Sequence, residues 1–69
     1  MKIGKYIVTP RSMKSDLSGG YVGTANLLWD EADTTCDLSI HFHKSFETAE
    51  EAEQHAVQQI ELRVKDGKL

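Results

Sequence analysis

Alternation of apolar and polar side chains is clearest between Cys36 and His43. Leu38, Ile40 and Phe42 fall on one side, and Asp37, Ser39, His41 and His43 on the other. A period of two residues is that of a strand with one packed side and one wet side. The run from Tyr21 to Trp29 divides in the same way: Tyr21, Gly23, Ala25, Leu27 and Trp29 form the more apolar set, and Val22, Thr24, Asn26 and Leu28 the other. Lys5-Tyr6-Ile7-Val8-Thr9 is shorter but rich in β-branched and aromatic residues, which suit a strand. Pro10 then removes a main-chain donor, as at an edge strand or a strand end. These runs predict strands near 3–9, 21–29 and 36–43. Residues 11–20 read as a loop closed by the turn Ser18-Gly19-Gly20, and the polar stretch Asp30 to Thr35 as a second connection.

Beyond His43 the period changes. Ala49, Ala52, Ala56, Ile60 and Val64 recur every three or four residues and share one face of a helix near 48–65. Thr48 and Glu51 have the spacing of a capping box, in which each side chain satisfies a main-chain N–H of the first turn. Glutamates crowd the start of the helix, Arg63 and Lys65 lie near its end, and Gly67 follows as a stop. The fold class predicted is α+β: one 1–69 domain, a three-stranded antiparallel meander of order 1-2-3 with a C-terminal helix across one face. Its expected core is Tyr6 or Ile7, Ala25, Leu27, Leu38, Ile40, Phe42, Phe46, Ala52, Ala56, Ile60 and Val64. Leu62 falls on the back of the helix, near Glu51 and His55.

One helix covers one side of such a sheet. The other side is expected to carry Val22, Thr24, Asn26, Leu28, Ser39, His41 and His43, with Asp37 beside them. Val22 and Leu28 are too apolar for a face meant only for water, and such a patch on a small domain marks a contact surface. The free strand edges add a second way to pair with another chain. With 69 residues and one cysteine, the chain builds a marginal core without a disulfide staple. Self-association is therefore an early expectation, and a homodimer or another protein partner is the favoured reading.

Charge adds an alternative. The chain holds 8 Lys and Arg against 11 Asp and Glu, a net charge of −3, which does not favour general affinity for nucleic acid. Yet Lys2, Lys5, Arg11 and Lys14 fall in the first 15 residues with no acid among them. A nucleic-acid-binding module using the sheet and this basic strand and loop is the second reading, with strongly salt-dependent binding. No apolar run is long enough to cross a membrane, and the basic start is followed by no signal-like apolar stretch. The unpaired cysteine fits a reducing, cytoplasmic setting.

Candidate chemistry is sparse. His41-x-His43 has a spacing compatible with zinc or copper, but a metal site needs further ligands, and nothing supplies them. The pair reads as solvent-facing histidines, and His55 as a surface residue of the helix. Cys36 precedes Asp37 and lacks the electropositive setting of a nucleophile, so it reads as a small buried residue at a strand start. Ser18-Gly19-Gly20 lacks the Gly-Lys-Ser/Thr ending of a phosphate loop. No catalytic residue, cofactor or metal is expected.

The segment Phe46-Glu47-Thr48-Ala49-Glu50-Glu51-Ala52-Glu53, with the tyrosine-containing first strand and the closing Asp66-Gly67 pair, resembles small bacterial proteins of unknown function built as three strands and a helix. That resemblance spans nearly the whole chain and implies a fold but no activity. The same Phe-x-Thr-x-Glu-Glu-Ala step is similar to one in the plant ethylene-response type of DNA-binding domain, over about eight residues that form a cap and an alanine seam. That family reads the major groove with Arg and Trp on its sheet. Here no Arg falls in 21–29 or 36–43, and Trp29 stands at a strand end.

Overall fold

The computed structural model describes residues 1–16 and 19–69. Ser18 of the expected glycine-rich turn lies outside them. The chain forms β1 (Lys2–Ile3), β2 (Tyr6–Lys14), β3 (Tyr21–Glu31), β4 (Thr34–Phe46) and α1 (Ala49–Lys65). The strands make one antiparallel sheet in the order β1-β2-β3-β4, with the helix packed on one side.

The α+β class and the one helix among the described residues agree with the sequence pattern, but the sheet has four strands among them rather than three. The extra strand arises because the chain reverses at Gly4-Lys5. Gly4 has φ +59, a left-handed conformation that suits glycine, and Ile3 comes back to face Tyr6. A Cβ on Gly4 would also stand 3.2 Å from Val64 Cγ1 of the helix.

Two other boundaries differ. β2 continues through Pro10 to Lys14, where a loop was expected. Main-chain groups of alternate β2 residues point away from β3. Val8 shows this directly: its N–H donates to the Met1 carbonyl at 2.6 Å, and its carbonyl accepts from the Met1 nitrogen at 2.9 Å. Pro10 has the same parity, so its missing N–H costs the β2–β3 ladder nothing. The connection expected over Asp30 to Thr35 is a two-residue hairpin instead. Glu31 faces Thr34, and Ala32 and Asp33 take φ +49 and +67. Positive φ at both central positions gives the turn the twist of its flanking strands, with Ala-Asp in a place that favours Asn-Gly.

The core lies between α1 and the inner strands. Val8, Ala25, Leu27, Ala52, Ala56 and Ile60 are fully buried, and Tyr6 and Phe42 nearly so. Tyr6 meets Trp29 edge-on, with ring centroids 5.2 Å apart. Of the alternatives Tyr6 and Ile7, Tyr6 is inside, and Ile7 is 54% exposed. Val8, missing from the expected core, has the same strand parity as Tyr6. Ile40, Phe46 and Val64 are half-buried. Leu38, expected inside, is 42% exposed. The helix lies over β2 and β3 and touches β4 much less, so β4 projects from beneath it.

Small residues set the helix height. A Cβ on Gly23 would run into the Ala52 carbonyl oxygen and stand 3.2 Å from Ala56 Cβ. The Ser12 hydroxyl ties β2 to the helix by donating to Glu53 Oε2 at 3.1 Å. The Thr48 Oγ1 accepts from the Glu51 N–H at 3.2 Å, as a cap should. The Glu51 carboxylate accepts from the Thr48 hydroxyl at 3.0 Å, where the capping box had it bond the Thr48 main chain. Asp66 closes the helix, and Gly67 at φ +71 turns the chain away.

Candidate functional site

The register assembles the uncovered side of the sheet in rows. Ile7, Leu28 and Asp37 face one another in sequence across β2, β3 and β4. Next come Thr9, Asn26 and Ser39, then Arg11, Thr24 and His41, then Met13, Val22 and Ser45. Six of the seven residues expected on this face, Val22, Thr24, Asn26, Leu28, Ser39 and His41, stand in these rows. The middle rows are polar and linked laterally: Ser39 Oγ donates to Asn26 Oδ1 at 3.1 Å, and Thr24 Oγ1 lies 3.2 Å from His41 Nδ1. The end rows are apolar, with Ile7 54% and Met13 59% exposed beside half-buried Leu28 and Val22. The sequence pattern ends this strand at Thr9, which leaves Met13 in a loop, and it offers Ile7 as an alternative to Tyr6 in the core. With Tyr6 inside, the alternation puts Ile7 on the open side, and carrying it on to Lys14 puts Met13 there too.

His43 is the seventh, and it stands outside the rows. Val22 faces Ser45 while Thr24 faces His41, so β4 advances four residues where β3 advances two. The bulge holds Phe42, His43 and Lys44. It interrupts the simple alternation that had put His41 and His43 side by side. Among the described residues no group of three or more His, Cys, Asp or Glu comes together.

His55 differs from its expected surface setting. It is half-buried, its ring 5.7 Å from the Phe42 ring and 5.0 Å from that of Phe46, and its Nδ1 is buried with no hydrogen-bond partner. Both phenylalanines thus reach the helix side from either end of the bulge. Cys36 is a half-buried free thiol facing Trp29 across the β3–β4 ladder.

The basic residues do not gather. Lys2 faces Ile7 and shares the open side with Arg11. Lys5 sits in the β1–β2 turn with Nζ 5.5 Å from the Tyr6 ring centroid. Lys14 has the strand parity of the opposite side. The acidic Asp37 lies in the same row as Ile7 and Leu28.

The two sheet edges are built differently. Along β2 the edge is closed by β1 and Met1 near Val8, and beyond that it carries Pro10 and Lys14. Proline and lysine are the ordinary guards of an exposed edge. β4 has its irregular stretch only from Phe42 onward. From Thr34 to His41 it is regular, contains no Pro, Lys or Arg, and carries one charged residue, Asp37. Because Thr34 closes the hairpin with Glu31, the even-numbered residues of this stretch bond β3. Thr35, Asp37, Ser39 and His41 therefore turn their N–H and C=O outward.

Compared with protein-family models, with curated proteins and with solved structures, the chain matches none. Among the described residues no helix is long and apolar enough to cross a membrane.

Proposed function

We propose that this chain is a non-catalytic protein-interaction module that takes up an extended protein segment along the free edge of β4, with the adjoining open sheet face as the secondary contact. The observation that carries this reading is the contrast between the edges: β2 is guarded by Pro10, Lys14 and the β1 turn, and β4 is unguarded from Thr34 to His41. Strand addition obtains affinity from main-chain hydrogen bonds and specificity from alternate side chains. Here the outward groups of Thr35, Asp37, Ser39 and His41 supply the first, and Leu38 and Ile40 the apolar half of the second. The alternative of a nucleic-acid surface has less to support it, because Lys14 faces away from Lys2 and Arg11, and Asp37 shares their side.

Selection from a displayed peptide library tests the reading. It should enrich extended, alternately apolar peptides whose binding is lost in Ser39→Pro, which deletes an outward donor while leaving the β3–β4 ladder intact. An absence of enrichment, or peptides that bind Ser39→Pro equally well, would refute it.

A further inference from the structure

Resting on that reading, the geometry points to a second copy of this chain as the strand that fits β4, paired antiparallel about a two-fold axis through Leu38. The even-numbered side chains of β4 share the helix side and the odd-numbered ones the open side, so a symmetric pairing must match even with even. Centred on Leu38, Leu38 meets its twin, Cys36 meets Ile40, Asp37 meets Ser39 and Thr35 meets His41. Apolar faces apolar on the helix side. On the open side a carboxylate faces a hydroxyl. The pairing uses the whole regular stretch from Thr35 to His41 and stops short of the bulge.

Neighbouring registers fit less well. Centring on Asp37 sets two carboxylates directly opposite each other, which is unfavourable across a ladder. Centring on Ser39 brings Phe42 and His43 of the bulge into the pairing. Centring on Cys36 sets Leu38 against Thr34. The Leu38 axis also accounts for the most exposed apolar side chain of β4: Leu38 is 42% exposed although its parity is that of the core. Each copy exposes it because its own helix lies over β2 and β3, and pairing covers it with the same residue of the other copy. The result is a continuous sheet of eight strands with both helices on one side.

Disulfide trapping in a Cys36→Ser background tests the register. Leu38 occupies a non-hydrogen-bonded position, where facing Cα atoms are about 4.5 Å apart, inside the disulfide range of about 4.4–6.8 Å. Ser39 is displaced from its own twin by roughly two residues along the ladder, beyond the ~7 Å limit. Under mild oxidation Leu38→Cys should form covalent dimer at least tenfold faster than Ser39→Cys, both variants retaining the parent's circular dichroism. Ser39→Cys coupling as fast as Leu38→Cys would overturn the register, as would a parent that sediments as a dimer while neither variant couples. A parent that sediments as a monomer up to millimolar concentration would overturn the second copy as the occupant. Peptide binding lost in Ser39→Pro would still hold in both of those cases, so failure here is separable from failure of the strand-addition reading.

Discussion

Gly23→Ala is the sharpest test of how the helix is seated. Glycine inside a strand is ordinarily a weakness, and alanine in its place gains roughly 0.5–1 kcal/mol. At Gly23 the added methyl has nowhere to go. It would overlap the carbonyl oxygen of Ala52 and press to 3.2 Å on Ala56 Cβ. The first of these is helix backbone and has no rotamer to change. The helix must therefore rise or slide, loosening Ala52, Ala56 and Ile60, all fully buried against the sheet. Forcing one methyl group into a packed contact costs about 1–3 kcal/mol. Set against the propensity gain, the net loss centres on about 1 kcal/mol, the middle of one range less the middle of the other. For a domain of this length total stability is of order 3–10 kcal/mol, and each kcal/mol lowers Tm by roughly 4–8 °C. Urea unfolding read by Trp29 fluorescence, with circular dichroism in parallel, measures the change. The midpoint should fall with an unaltered slope. Adding Ala56→Gly should restore little, because it leaves the Ala52 carbonyl in place. A single variant as stable as the parent, or more so, would refute the close seating of α1 on Gly23.

Three further outcomes follow from local geometry. Ile60→Ala empties a fully buried site and should cost about 2–5 kcal/mol by thermal or chemical unfolding. Thr48→Ala removes the acceptor for the Glu51 N–H and should cost about 1 kcal/mol, with the loss of amide protection in the exchange experiment confined to the first turn of the helix. The double change Ala32→Asn, Asp33→Gly supplies the residues a turn with two positive φ values favours, and should raise stability by about 1 kcal/mol in the same unfolding assay.

The helix and its seam were legible because a period of three to four residues over many turns, with a cap and a stop, has few competing explanations. Alternation likewise puts Val22, Thr24, Asn26, Leu28, Ser39 and His41 on one face, the face on which the strand register sets them. The misses share a physical cause: local punctuation was read without knowing which neighbour each main-chain group faces. A proline ends a strand only where the ladder needs an N–H, and here the Pro10 nitrogen points outward, away from β3. Asp30 to Thr35 looked like a loop by composition, but backbone conformation and strand pairing, not polarity, make Ala32-Asp33 a tight turn. Leu38 has core parity, and its exposure depends on where the helix axis falls, which no alternation encodes. His43 was displaced by a bulge that leaves no mark in composition. His55, at the rim of the helix's apolar seam, reads as a surface residue in the sequence because its two aromatic neighbours come from β4, one within that bulge and one just beyond it.

That insertion gives β4 two residues more than β3 over the same span. Pairing resumes beyond it with Phe46 facing Tyr21, so Phe42 and Phe46 come up on one side and clasp one imidazole between them. A strand absorbs surplus residues in a bulge and then regains its ladder, so the insertion sets the spacing of the two rings along the helix rather than the side on which they emerge.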